Sequence, residues 1–141
     1  MQQLIEFLSN HTLLTSLLVA IVLALYGTSF INRLRGIKQV GPAEATQMIN
    51  HDDAIVIDVR ENNEYADGHI INAMHIPMTN VQSRISELEK HKSKPIIVSC
   101  RSGARSATVC GWLKKHEFEN VSNLKGGVMA WTSASLPLSK K

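Results

Sequence analysis

The sequence predicts an α/β fold: a small parallel five-stranded sheet wrapped by helices, preceded by one transmembrane helix. Continuous apolar runs at residues 54–57 and 95–99 are typical of strands that are buried on both faces. Segments with helical periodicity alternate with such runs, and this alternation favours a parallel sheet. A long uncharged segment before residue 33 predicts the membrane helix.

Three helices are predicted in the α/β part, each from a local signal. Pro42 suits a first helical turn, and the apolar residues that follow it share one face. Val81, Ile85 and Leu88 have the spacing of a second helix, and residues 106–116 resemble a third. The named strands are predicted at residues 54–57, 73–76, 95–99 and 121–124.

Length and charge limit the classes of protein that fit. The 141 residues divide into an N-terminal segment, 1–35, and one domain, 36–141, which is large enough to bury a core without disulfides. A net charge of +3 is too small and diffuse to indicate nucleic-acid binding. Only two cysteines are present, which suits a reducing compartment.

Cys100 is the strongest chemical signal in the chain. It lies between the apolar run 95–99 and the helix-like stretch 106–116, where free backbone N–H groups and the helix dipole favour an anion. Arg101 and Arg105 strengthen that field. We therefore expect a nucleophilic thiolate rather than an inert buried thiol, the ordinary alternative for a free cysteine.

The other candidate residues are given structural roles. Cys110 shares a helix face with apolar neighbours, so it is interpreted as a small core residue and not as a resolving cysteine. The scattered histidines predict no metal site, and no cofactor is expected. His69 is expected to make a structural hydrogen bond within a turn. Asp58 and Arg60 end a predicted strand and are expected to brace the active loop.

Three separated motifs resemble those of a single-domain rhodanese, a sulfurtransferase. The first runs from Ile57 to Ile70, the second is the loop from Cys100 to Ser106, and the third begins at Leu124 and includes Gly126 and Gly127. The chain departs from the family pattern at Ile71-Asn72, where Pro-Gly is usual, and at Ser135, where Gly is frequent. Asn tolerates the left-handed backbone, so the first turn is expected to survive.

The resemblance implies a mechanism centred on Cys100. The thiolate would take a sulfur from a small donor such as thiosulfate or a persulfide, and would pass it to a thiol or to cyanide. Arg101 would attract an anionic donor, and Arg105 would contact substrate or pair with an acidic residue such as Glu64. The substrate is expected to be bound by the loop residues Arg101, Ser102, Gly103, Ala104, Arg105 and Ser106.

Loop length separates this chemistry from phosphate-ester hydrolysis. Four residues lie between Cys100 and Arg105. Phosphatases with a similar cysteine loop have one residue more before their arginine, and here Ser106 occupies that position. The shorter loop favours a sulfane sulfur over a phosphate.

The N-terminal segment predicts a single-pass anchor in the inner, or plasma, membrane. Residues 7–32 contain no charge, and a helix over about 11–31 matches a bilayer core about 30 Å thick. A cleaved signal peptide is the rival, but Glu6 stands where basic residues are expected. Arg33, Arg35 and Lys38 follow the span, which places the N-terminus outside and the domain in the cytoplasm.

A second function class follows from the same segment. Small side chains recur at every fourth position of the predicted span, and such a stripe allows close approach of another helix. The protein could therefore act as a membrane-anchored interaction module that pairs with itself or with a larger membrane protein. The stripe consists of Thr12, Ser16, Ala20, Ala24 and Thr28.

Overall fold

A computed structural model describes residues 11–34 and 36–140, in two compact units, Met1–Gly36 and Ile37–Lys141. In the first unit, helix α1 spans Thr12–Leu34. Within the part of the chain that the structure describes, no helix combines the length and the apolar character that crossing a membrane requires. The helix at this position is thus confirmed, but its predicted role as a transmembrane helix is not supported.

The second unit contains a five-stranded sheet in the order β1-β6-β5-β2-β4, and every neighbouring pair is parallel. A second, antiparallel pair joins β3 and β7. The strands are β1 (Lys38–Val40), β2 (Ile55–Asp58), β3 (His69–Ile70), β4 (Met74–His75), β5 (Ile96–Ser99), β6 (Val121–Leu124) and β7 (Leu138–Ser139). The predicted parallel five-stranded sheet is confirmed; its first strand, β1, and the β3–β7 pair were not predicted from the sequence.

Helices cover this sheet. They are α2 (Pro42–His51), α3 (Asn62–Ala66), α4 (Met78–Val81), a 3-10 helix (Ile85–His91), α5 (Ala104–Lys115) and α6 (Gly127–Ser133). The single helix expected through Val81, Ile85 and Leu88 is wrong, because the chain forms α4 and the 3-10 helix as separate pieces. Val81 and Leu88 are nevertheless both fully buried. The spacing of apolar residues therefore predicted which side chains face the core, although it did not predict where one helix ends and the next begins.

The core lies on both faces of the sheet. Ile57 and Val98 pack in one apolar cluster, whereas their neighbours Val56 and Ile97 pack in another. This alternation along each strand is the two-residue period of side chains in a strand. Burial on both faces explains why β2 and β5 appear in the sequence as continuous apolar runs.

Sheet order brings the predicted site residues together. Strands β2 and β5 are parallel neighbours, and Asp58 lies in register with Ser99. The carboxyl ends of both strands therefore meet at one edge, where Asp58 and Arg60 lie next to the loop that begins at Cys100.

The two departures from the family pattern lie in left-handed turns. Asn72 has φ 61° and Ser135 has φ 57°. The expectation that Asn72 keeps the first turn is confirmed. Ser135 adopts the same region, which is costlier for a residue other than Gly, Asn or Asp.

Candidate active site

The Cys100 thiol lies at the bottom of the turn between β5 and α5. The residue is only 1% exposed. Its Sγ accepts a hydrogen bond from the backbone N–H of Gly103 at 3.1 Å and one from Ser106 Oγ at 3.3 Å. Both donors point at the sulfur, so the loop is arranged around a negative charge at this atom.

Opposing effects set the pKa of Cys100. Burial raises the pKa, but the hydroxyl of Ser106 and the backbone N–H groups of Ser106, Gly103 and Ser102 lower it by more. The net result is a pKa below the ordinary value of a thiol, because hydrogen bonds to the charged form outweigh desolvation. The predicted thiolate character of Cys100 thus rests mainly on hydrogen bonds.

Gly103 gives the loop its closed shape. It has φ 97° and precedes the first residue of α5, so its N–H turns back towards the sulfur. A Cβ at this position would lie 3.2 Å from Gly126 N and 3.2 Å from Leu124 O. Asn123 holds the carbonyl of the same residue, since its Nδ2 donates to Gly103 O at 3.1 Å.

The start of helix α6 supports the loop from the opposite side. The N–H of Val128 donates to Cys100 O at 2.8 Å, and the N–H of Met129 donates to Arg101 O at 3.1 Å. Gly127 permits this approach, because a Cβ there would lie 2.3 Å from Cys100 O. The supporting roles of α6 and of Asn123 were not predicted from the sequence. The Gly126-Gly127 pair is the sequence feature that could have indicated a close approach of α6 to the loop.

Arg105 forms an ion pair with Glu64 of α3. Its two terminal nitrogens each donate to one carboxylate oxygen at 2.8 Å. This pairing lowers the pKa of Glu64 to about 2, against the opposing effect of burial. Of the two roles open to Arg105, the structure shows the structural tie to Glu64.

Asp58 and Arg60, which were expected to brace the active loop, form a buried ion pair at the end of β2. Arg60 Nη2 donates to Asp58 Oδ2 at 2.7 Å, and Arg60 Nε lies 3.0 Å from both Asp58 oxygens. The same guanidinium also donates to the carbonyls of Glu64 at 2.9 Å and Gly68 at 2.8 Å. The pair is buried, so Arg60 ties the end of β2 to the chain around α3 and fixes the helix that carries Glu64.

The remaining loop residues are exposed. Arg101, Ser102 and Ala104 have accessible side chains, in contrast to the buried Ser106. Arg101 also lines a cleft of about 460 Å³ beside the loop. An exposed guanidinium next to Cys100 is suitably placed to attract an anion.

Two predictions about residues away from the sulfur are confirmed. Cys110 is fully buried in the core, and burial raises its pKa to about 12. His69 makes a hydrogen bond between Nδ1 and Tyr65 O at 3.1 Å, although it lies in strand β3 rather than in a turn. Tyr65 stacks between the rings of His69 and His75, a contact that the sequence did not predict.

Comparison with known proteins identifies the domain. A family model of the rhodanese-like domain matches residues 41–134. The chain belongs to the rhodanese family. This rhodanese is 34% identical over 139 residues to the uncharacterized protein YibN of Escherichia coli, a match that covers 98% of the chain and 97% of that protein. It is 33% identical over 94 residues to the thiosulfate sulfurtransferase GlpE of Coxiella burnetii, covering 67% of the chain and 86% of that enzyme.

Solved structures agree with the fold. The rhodanese-related protein of Thermoplasma volcanium is 27% identical to this chain, with a TM-score of 0.67. The match covers 74% of this chain and 99% of that one. The predicted rhodanese-like domain is therefore confirmed, and the family in which it belongs contains sulfurtransferases.

Proposed function

We propose that this rhodanese is a sulfurtransferase that carries a sulfane sulfur on Cys100. The donor is thiosulfate or a persulfide, and the acceptor is a thiol, or cyanide in an assay. The observation that supports the proposal is the sulfur of Cys100 itself, which accepts hydrogen bonds from Gly103 N–H and Ser106 Oγ in a loop closed around it.

With thiosulfate, the reaction consists of two displacements. The Cys100 thiolate attacks the outer sulfur of thiosulfate, a new S–S bond forms, and sulfite leaves with the electron pair of the broken bond. The acceptor then attacks the outer sulfur of the Cys100 persulfide, and the electron pair of that S–S bond returns to Cys100 Sγ. No general base is required when the Cys100 thiol and the acceptor are both ionised.

The loop residues have different roles in this scheme. The N–H groups of Ser102, Gly103 and Ser106, which lower the pKa of the thiol, would also hold the charge on the transferred sulfur. Arg101 would attract the anionic donor. Arg105 and Glu64 satisfy each other's charges, so we assign them to holding the loop and not to binding the donor.

The decisive test is sulfur transfer from thiosulfate to cyanide by the full-length chain, with thiocyanate as the readout. Cys100→Ser should abolish transfer, whereas Cys110→Ser, which changes a buried core thiol, should retain it. Mass spectrometry after thiosulfate treatment should show one added sulfur on the wild type and none on Cys100→Ser. Thiocyanate formation by Cys100→Ser at the wild-type rate would refute the mechanism.

Hydrolysis of a phosphate ester by the same chain serves as the control for the phosphatase alternative. The loop has four residues between Cys100 and Arg105, and Arg105 is already paired with Glu64. An arginine in this state is not available to bind a phosphate. We expect no hydrolysis; Cys100-dependent hydrolysis would overturn the assignment.

The exposed apolar surface of α1 favours a second candidate function, that of an interaction module. Leu13 is 80% exposed and Leu23 is 67% exposed, and apolar side chains between them are also exposed. Such a surface generally needs a lipid or a protein to cover it. We propose pairing through the small residues of this helix, with a second copy or with a membrane protein; Ala20→Leu with Ala24→Leu should then reduce crosslinking in isolated membranes.

The location of the protein is a separate proposal that rests on the sequence alone. The basic residues Arg33, Arg35 and Lys38 support an inner-membrane position with the rhodanese domain in the cytoplasm. Fractionation of cells that produce the full-length chain, followed by protease treatment from each side, tests this proposal. Recovery in the soluble fraction would exclude it.

A further inference from the structure

A cleft of about 460 Å³ lies between α3, the active loop and α6. It is lined by Arg60, Glu64, Asp67, Arg101, Val128, Met129, Thr132 and Ser133. This volume falls within the usual range for small-ligand sites. Arg101 belongs to the active loop, and the N–H groups of the lining residues Val128 and Met129 donate to Cys100 O and Arg101 O, so the cleft adjoins this loop.

Its four charged residues fall into two classes. Arg60 is bound to Asp58, and Glu64 is bound to Arg105, so both are already neutralised. Arg101 and Asp67 are exposed, and neither has a hydrogen bond or ion pair from its side chain to any residue that the structure describes. The cleft therefore offers one available cation and one available carboxylate.

The α6 wall adds hydrogen-bond acceptors and apolar contact. Thr132 Oγ1 donates to Val128 O at 2.9 Å, and Ser133 Oγ donates to Met129 O at 2.9 Å. With their protons directed to the helix, these hydroxyls present only lone pairs to a ligand. Together with Asp67, they favour a ligand that brings N–H donors, and the side chain of Met129, 56% exposed, provides apolar contact.

We infer that this cleft binds the sulfur acceptor, and that the acceptor is a dipolar thiol: an amino-acid or short-peptide thiol with a carboxylate and an ammonium group. Arg101 binds the carboxylate, and Asp67 binds the ammonium group. The inference rests on the proposed function, because it assigns the second substrate of the same Cys100 reaction. It makes Asp67 a specificity residue for the acceptor.

The transfer itself is a displacement without net oxidation. The acceptor thiolate forms an S–S bond to the outer sulfur of the Cys100 persulfide, and the bond between that sulfur and Cys100 Sγ breaks. The electron pair returns to Sγ, which regains its hydrogen bonds from Gly103 and Ser106. The outer sulfur becomes the terminal sulfur of the new acceptor persulfide and takes its negative charge with it.

The test separates sulfur loading from sulfur transfer. Full-length protein is loaded with thiosulfate, desalted and mixed with L-cysteine, cysteamine or 3-mercaptopropionate, and loss of the added sulfur is followed by mass spectrometry. Cysteamine lacks the carboxylate and 3-mercaptopropionate lacks the ammonium group. Rates are compared between variant and wild type for each thiol, so differences in intrinsic thiol reactivity cancel.

Each variant should affect only the acceptors with the matching charge. Asp67→Asn should slow cysteine and cysteamine by about two- to five-fold, the usual effect of one partly exposed ion pair, and should leave 3-mercaptopropionate unaffected. Arg101→Gln should slow cysteine and 3-mercaptopropionate but not cysteamine. Asp67→Lys should reverse the preference, and Glu119→Gln, an exposed acid outside the cleft, is the matched control.

The outcomes distinguish this inference from the proposed function. If the added sulfur forms but Asp67→Asn affects all three thiols equally, or none of them, the acceptor site is refuted and the sulfurtransferase proposal stands. If thiosulfate and persulfide donors both fail to load Cys100, the proposed function fails, and the inference fails with it.

Discussion

Gly127→Ala is the sharpest test of the way α6 supports the active loop. The new Cβ would lie 2.3 Å from Cys100 O and 2.6 Å from both the C and the O of Arg101. These are backbone atoms, which cannot rotate away as a side chain would. We therefore expect the loop and the helix to separate.

The cost can be worked from the same geometry. Ordinary contact begins at 3.4 Å, so the two backbones must separate by about 1 Å. That shift breaks the bonds to Cys100 O at 2.8 Å and Arg101 O at 3.1 Å, each worth about 0.5–1.5 kcal/mol. Gly127 also has φ 58°, in the left-handed region, where a residue with a side chain costs roughly a further 1–2 kcal/mol. The free energy of unfolding should fall by about 2–5 kcal/mol.

Urea unfolding followed by tryptophan fluorescence measures this loss, because Trp112 and Trp131 both lie in the rhodanese domain. Gly111→Ala is the matched control: it makes the same change inside α5, where a Cβ meets nothing within 4 Å, and should raise stability by up to about 1 kcal/mol. Sulfur transfer should fall on the order of 100-fold in Gly127→Ala, since a 1 Å displacement misplaces the nucleophile. An unfolding free energy within about 0.5 kcal/mol of wild type would refute the packing argument.

Three further outcomes are expected. Ser106→Ala should raise the pKa of Cys100, because it removes the largest of the hydrogen bonds that lower this pKa. Ser102→Ala should leave the pKa unchanged, since Ser102 acts through its backbone N–H. The pKa is measured as the midpoint of the rate of iodoacetamide alkylation against pH. Glu64→Gln should lower stability by about 1 kcal/mol at neutral pH. The pKa of Glu64 is depressed from 4.5 to about 2, so the stability difference between wild type and Glu64→Gln should be fully present above pH 4.5 and should vanish as the pH falls through 2. Free energies of unfolding measured at a series of acidic pH values would show this loss. Ser135→Gly should increase the free energy of unfolding by up to about 1 kcal/mol, because glycine adopts the left-handed turn without strain. The melting temperature should rise accordingly, and an unchanged melting temperature would contradict this expectation.

Local pattern was sufficient for the sheet strands with strong apolar runs and for the position of Cys100. Strands β2 and β5 are buried on both faces, so their sequences carry a continuous apolar signal. Strand β1, by contrast, has two exposed residues of three, and its sequence carries almost no signal. The helix predicted through Ile85 failed because spacing alone cannot distinguish one helix from two short pieces with a common buried face.

The sequence by itself determined that a cysteine would lie between a buried strand and a helix, in a loop rich in N–H donors. Such local features depend on neighbouring residues, and Ser106 and Gly103 are close to Cys100 along the chain. Only the tertiary structure decided what holds that loop. Glu64 is 41 positions from Arg105, and Asn123 is 20 from Gly103. Which distant residues meet depends on the strand order and on how each helix crosses the sheet, and local periodicity does not record either.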